Sequence, residues 1–218
     1  MLATRIDHLV VTAPTLAQGT HYLQQALGVT PQTGGEHPRM GTHNCLLRLG
    51  PDLYLEVIAA NPQAPSPGRP RWFQLDDKNW NHRPQLATWV ARTSDIYGAQ
   101  AATPIPVGEI HSMSRGSLDW LITIPPDGQL AMQGAAPAFI QWNTQAHPAT
   151  GMQEAGCSLI GLEAFHPKAQ ALKSMLQHIG FEGQFQATPL PADVQPYLIA
   201  HIQTPSGLRQ LGGSIPKS

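Results

Sequence analysis

The sequence predicts an α+β protein built from repeated βαβββ units whose strands join into a cup-shaped mixed sheet. Three observations carry that prediction. The order strand, helix, strand, strand, strand runs through the chain three times, at a period of roughly 70 to 80 residues. The 20 glycines and 21 prolines follow no period and cluster between apolar runs, where short strands need stops. Two of the strands carry one polar, metal-capable side chain inside an apolar run, His8 in 5–12 and Glu56 in 53–59. A βαβββ unit has an apolar sheet face under its helix. Its other, curved face needs a partner, so units pair and enclose a hollow.

The first unit spans 4–60. After the strand at 5–12, Pro14 and Thr15 open a helix with Thr15 as N-cap, and Gly28 closes it as a C′ residue. An edge strand at 30–36 is interrupted by Gly34 and Gly35, a third strand covers 43–49, and Gly50, Pro51 and Asp52 turn into the fourth. Residues 61–85 form a long connection rich in Pro, Asn and Gln. Trp72, Phe73 and Trp80 lie in it, so it is expected to dock on the fold rather than trail as a linker.

The second unit spans 86–145, with strands at 86–93, 108–114, 118–124 and 138–143 and a short helix at 96–102 capped by Ser94 or Asp95. A third pass, 151–218, holds a strand at 157–165 and a helix with the stripe Ala169, Leu172, Met175, Leu176 and Ile179, stopped by Gly180. Strands at 181–187, 197–203 and 208–211 complete it. The paired units make one domain, 1–150, and the third unit follows it. An odd number of units leaves one unpaired, which predicts a homodimer.

Composition excludes several partners. With 41% hydrophobic and 12% charged residues and a net charge of −1, the chain is an ordinary globular protein with no footprint for nucleic acid or an anionic membrane. No stretch approaches the roughly 18 apolar residues of a membrane span, and no leader-like segment opens the chain. Cys45 and Cys157 lie far apart in strand-like runs and read as free thiols in a reducing, cytoplasmic compartment. No phosphate loop or dinucleotide fingerprint is present, so no nucleotide cofactor is expected.

Successive strand residues face opposite ways, which places His8 with Ile6 and Val10, and Glu56 with Tyr54 and Ile58. Leu9, Val11, Leu55 and Val57 then build the core on the other face. A carboxylate in such a run must be paired, metal-bound or open to a water-filled cavity. Without metal, Glu56 is the candidate catalytic base. Asn44 and Arg48 share a face of the third strand, and Arg92 projects with Thr88 and Val90 from the fifth; Asn44, Arg48, Thr88 and Arg92 are the candidate substrate-binding residues, an arginine being suited to a carboxylate or phosphate. Arg115, before Gly116 and Ser117, reads as a strand-end residue, with a substrate role as the alternative. His37, His147 and His166, each before a proline, read as turn residues.

On Ile6-Asp7-His8-Leu9-Val10, Gly41-Thr42-His43-Asn44, Tyr54-Leu55-Glu56-Val57-Ile58 and Phe139-Ile140-Gln141-Trp142, the chain resembles the vicinal oxygen chelate superfamily, in its glyoxalase-like branch. The resemblance covers about the first 150 residues in motif and the rest by pattern. It implies one divalent metal held by four side chains, two from each unit. His8 and Glu56 match the first pair; Thr88 and Gln141 fall where the second pair would stand. Thr and an amide are weaker ligands, leaving His8 and Glu56 with Gln141 as the metal set. The function implied is a metal-assisted lyase, isomerase or dioxygenase acting on a small oxygenated metabolite. The alternative is a metal-free protein of the same fold that sequesters a small molecule.

Overall fold

A computed structural model describes residues 2–144 and 146–214. Residue 145 and residues 215–218, assigned above to the ends of the second and third units, lie outside the described residues. Thr15 starts the first helix because its hydroxyl accepts a hydrogen bond from the Gln18 amide at 3.2 Å, and Gly28 ends it at φ 73°. That helix, α1 (Leu16–Leu27), follows β1 (Thr4–Thr12) and precedes β2 (Gln32–His37), β3 (Thr42–Gly50) and β4 (Leu53–Ala60). Gly19 lets α1 lie close on the sheet: a Cβ there would fall 2.3 Å from Cγ1 of Val57. The second unit repeats the order with β5 (Gln85–Thr93), α2 (Ile96–Ala102), β6 (Glu109–Arg115), β7 (Leu118–Ile124) and β8 (Ala138–Trp142). Asp95 caps α2, accepting from the Gly98 amide at 2.9 Å.

These eight strands form one curved sheet in the order β2-β3-β4-β1-β5-β8-β7-β6. Each unit pairs its first strand parallel to its last, and the two halves join where β1 runs antiparallel to β5. The expected α+β cup is therefore present. One face packs the main core, including Leu9, Val11, Leu55, Val57 and Trp89. Val10, Ile58, Trp72, Trp120 and Ile140 line the concave face.

Two single-residue bulges mark the central pair. Ile6 pairs with Ala91 and His8 with Val90, so Asp7 is an extra residue in β1; Val10 pairs with Thr88 and Val11 with Leu86, so Ala87 is its counterpart in β5. The first bulge changes the parity of β1. Ile6 therefore joins Leu9 and Val11 in the main core rather than sharing the cup face with His8 and Val10, as unbroken alternation had predicted.

The third unit departs from the other two. β9 (Ser158–His166), α3 (Ala169–His178), β10 (Phe185–Pro189), β11 (Tyr197–Thr204) and β12 (Gly207–Gly212) keep the element order but weave as β10-β9-β11-β12, with β9 inside the sheet. Leu162, Ala164, Leu172, Ala200 and Leu211 enter the main core behind the first sheet. Trp89 joins the two sheets, its ring 5.3 Å from that of Phe181 and 5.1 Å from that of Phe185. The third unit's opposite face, with Glu163, Phe165, Ile199 and His201, stays half-buried, and Ile160 beside it is exposed.

Candidate functional site

His8 and Glu56 meet on the concave face because of strand register. His8 pairs with Tyr54 and Val10 with Glu56 across β1 and β4, so the two polar residues are diagonal neighbours. His8 Nε2 lies 3.8 Å from Glu56 Oε2, and both residues are about 5% exposed or less. The imidazole stacks on Tyr54 with centroids 4.5 Å apart. Burial raises the Tyr54 hydroxyl well above its usual pKa, helped by the charges of Asp7 and Glu56. Asn44 fixes the other Glu56 oxygen: its Nδ2 donates to Oε1 at 2.5 Å, while its own Oδ1 accepts from the Gly35 amide at 2.7 Å. Gly34 makes room for that amide, since a Cβ there would sit 2.1 Å from Asn44 Oδ1.

Asp7, the bulge residue, holds His8 from behind. It is fully buried, and one oxygen accepts from His8 Nδ1 at 2.7 Å. The other accepts from Trp142 Nε1 at 2.9 Å and from His147 Nε2 at 3.0 Å. Burial alone would raise this carboxyl; the hydrogen bonds and charges of His147 and His8 outweigh it and hold the group far below the ordinary carboxylate range. With Nδ1 committed to Asp7, the free nitrogen of His8 is the one facing Glu56. Sequence reasoning missed Asp7 because alternation turns it away from the cup, and it read His147 as a turn residue. The signal was an acid immediately beside the candidate histidine.

Arg115 and His37 close the same hollow from the sheet's two outer strands, β6 and β2. Arg115 Nη1 donates to His37 Nε2 at 3.1 Å, which leaves the His37 Nδ1–H for Thr42 Oγ1 at 3.2 Å. Burial pushes His37 down to about 4, with Arg115 and His8 acting in the same direction against Glu56, so the ring is neutral near pH 7. These residues, with Trp72, Trp120 and Trp142, line a cavity with about 30 Å³ open to water centres, room for a water or two.

The long connection closes the cup. Trp72 and Phe73 are buried in it, as the aromatics predicted, whereas Trp80 packs elsewhere at a half-buried position. Phe73 and Gln74 adopt left-handed φ values of 56° and 57°, at about 1 kcal/mol or more each. The turn is tied down by the Arg71–Asp76 ion pair at 2.6 Å and by the Gln74 amide on the Gly128 carbonyl at 2.8 Å.

The other expected residues go elsewhere. Thr88 faces a separate void, with about 20 Å³ open to water centres, under Trp72 and Phe73. Gln141 points away from the cup, its Oε1 accepting from the Ile96 amide at the start of α2 at 2.9 Å; Ile140 and Trp142 are the residues of β8 that face the hollow. Arg48 pairs with Glu154 at 3.3 Å. Arg92 pairs with Asp52 at 2.7 Å and lies 3.7 Å from Asp7.

The model of the glyoxalase-like domain family matches residues 6–180 of this sequence, most of the chain. The chain belongs to that family. The match runs through both halves of the cup and on into the third unit as far as the end of α3, beyond residue 150. No curated protein is similar enough in sequence to count as a relative. Among solved structures, a hypothetical protein from Staphylococcus aureus is 13% identical, with 97% of this chain and 87% of that one covered and a TM-score of 0.57. Methylmalonyl-CoA epimerase from Mycobacterium tuberculosis is 14% identical over 63% of this chain and 85% of that one, at a TM-score of 0.40. A Streptomyces coelicolor methylmalonyl-CoA epimerase (Q60A) in complex with 2-nitronate-propionyl-CoA is 14% identical over 66% and 100%, at 0.42.

The divalent ion implied by the resemblance does not suit the donors of this glyoxalase-like chain. Among the described residues, no group of three or more His, Cys, Asp or Glu converges to hold a metal. The first half offers His8 and Glu56. The second offers Thr88 in its own void and Ile140 in the cup, while Gln141 serves α2. A guanidinium lines the cavity as well, which repels a cation. What remains is a carboxylate and an imidazole facing one small aromatic-walled hollow, each clamped from behind.

Proposed function

We propose that the chain is a proton-transfer enzyme acting on a small oxygenated metabolite, with Glu56 as catalytic base and His8 as its acid partner. The observation that carries this reading is the pair of clamps. Asn44 holds one Glu56 oxygen and Asp7 holds His8 Nδ1, so Oε2 and Nε2 are left facing each other across 3.8 Å beside the cavity. Proton-transfer groups so positioned contribute about 10²- to 10⁴-fold each.

The chemistry follows from those atoms. A C–H bond next to a substrate carbonyl breaks, its proton passes to Glu56 Oε2, and the electron pair moves onto the carbonyl oxygen. The step requires His8 to carry a proton on both nitrogens: Nε2–H then donates to that oxygen as charge builds on it, while Nδ1–H stays on Asp7. Returning the proton to carbon gives an isomerase, and expelling a leaving group gives a lyase. The aromatic walls leave room for only a water or two, and the low local dielectric strengthens both interactions. Dioxygenase chemistry needs a metal with a fuller ligand set than His8 and Glu56 provide.

One observation favours the alternative, a metal-free sequestering protein: three tryptophans surround the void. Deuterium exchange separates the two. Short 2-oxo and 2-hydroxy carboxylates and simple ketones are incubated with the protein in D₂O and followed by proton NMR. The enzyme reading expects exchange at the carbon beside the carbonyl, lowered about 100-fold or more in Glu56→Gln. Quenching of tryptophan fluorescence with no exchange in any compound would refute it and leave sequestration. The free Cys45 and Cys157 support a reducing, cytoplasmic setting, and among the described residues no helix is long and apolar enough to cross a membrane.

A further inference from the structure

Of the arginines considered as anchors for an acidic group, two are already neutralised. Arg48 is paired with Glu154, and Arg92 with Asp52 and, more distantly, Asp7. Arg115 differs. Its side chain donates to His37, a neutral ring, and among the described residues no carboxylate lies within ion-pair distance of it. It nevertheless lines the same cavity as Glu56, His8 and Asn44.

The surrounding sequence is shaped to hold it there. β6 ends at Arg115, and the side chain crosses to the opposite outer strand, β2, where Gly35 leaves it space. A Cβ on Gly35 would sit 3.2 Å from both Arg115 Cδ and Nη1. Gly34 and Gly35 thus each make room for one polar side chain of the hollow, Asn44 and Arg115. His37 and Thr42 form the backing relay. A guanidinium fixed at a cavity wall without a counter-charge is a ready fork for a planar anion.

We propose that the substrate is a small carboxylic acid whose carboxylate is gripped by Arg115 while its reactive carbon faces Glu56. This deepens the proton-transfer reading and rests on it for the identity of the reacting group. It explains how one pocket holds a base and still accepts an anion: Glu56 is tied to Asn44 and faces His8, and the opposite charge stands on the far strand.

The experiment compares short 2-oxo carboxylates with the corresponding amides, read by quenching of tryptophan fluorescence and by deuterium exchange. Wild type is expected to bind the acids and to bind the amides about 10-fold or more weakly. Arg115→Gln should lose that preference by weakening the acids alone, and Arg115→Lys should retain part of it, with circular dichroism showing both variants folded. Should Arg115→Gln not fold, Arg115→Lys decides, since loss of the planar fork must still weaken the acids relative to the amides. Equal affinity for acids and amides in wild type, or an acid preference untouched by both variants, overturns the inference while any exchange dependent on Glu56 still stands. Acid binding that depends on Arg115 with no exchange in any compound supports the anchor and refutes the proton-transfer reading.

Discussion

Replacing Asp7 by Asn tests the framework of the site with the least change in shape. The carboxylate is fully buried and receives His8 Nδ1 at 2.7 Å, Trp142 Nε1 at 2.9 Å and His147 Nε2 at 3.0 Å, with Arg92 Nε at 3.7 Å. An amide fills the same volume, so no cavity term enters. It has one acceptor oxygen instead of two; with that oxygen on Trp142 and His147, its NH₂ faces His8 Nδ1, which can accept only by moving its proton to Nε2. Removing the charge from a fully buried carboxylate that holds three donors breaks a buried network, at about 3–5 kcal/mol. At roughly 2–4 °C per kcal/mol for a chain of this size, Tm should fall by roughly 6–20 °C at pH 7. The folded pKa of Asp7 lies below its unfolded value, so its stabilisation is complete above the unfolded pKa and lost as pH falls through the folded one. The deficit should therefore persist at pH 5 and narrow only below about pH 4. Calorimetry of wild type and variant at several pH values gives the answer. A Tm within about 2 °C of wild type at pH 7 would refute the reasoning.

Three further outcomes are expected. His37 has a folded pKa of about 4 against an ordinary 6.5, so the unfolded chain binds the extra proton between those values; stability should fall by about 3 kcal/mol as pH drops from 6.5 to 4, and His37→Gln should flatten that slope in urea titrations. Gly19→Ala should destabilise by about 1–3 kcal/mol, although alanine favours helix, because its Cβ would lie 2.3 Å from Val57 Cγ1; a rise in the denaturation midpoint would contradict the close packing of α1. Gln141→Ala should cost about 1 kcal/mol through the lost bond to the Ile96 amide and leave deuterium exchange at the wild-type rate, an outcome read from the same two assays.

Much of the architecture could be read from periodicity, because each strand of the cup has one core face and one hollow face. His8, Glu56 and Asn44 were legible for the same reason. Asp7 was not, since a single inserted residue reverses parity without leaving a mark in composition. Gln141 failed similarly: aligning 54–57 with 139–142 put it opposite Glu56, but in β8 the neighbours Ile140 and Trp142 face inward, and a slip of one residue reverses a strand. Arg92 is taken up by Asp52 while Arg115 meets only His37, because which arginine finds a carboxylate depends on contacts between distant strands. The third unit repeated the element order, yet pairing order is set by tertiary packing and differs there.

The turn carrying Trp72 and Phe73 has a bearing on kinetics. With it seated, the hollow has space for water and none for a carbon acid. Admission of any substrate would require that plug to withdraw, with release of its two left-handed residues offsetting part of the lost burial. The apparent affinity would then be the intrinsic one scaled by the fraction of molecules unplugged. On the proposed function, Arg71, Asp76 and Gly128, which latch the turn, set the rate of access alongside His8 and Glu56.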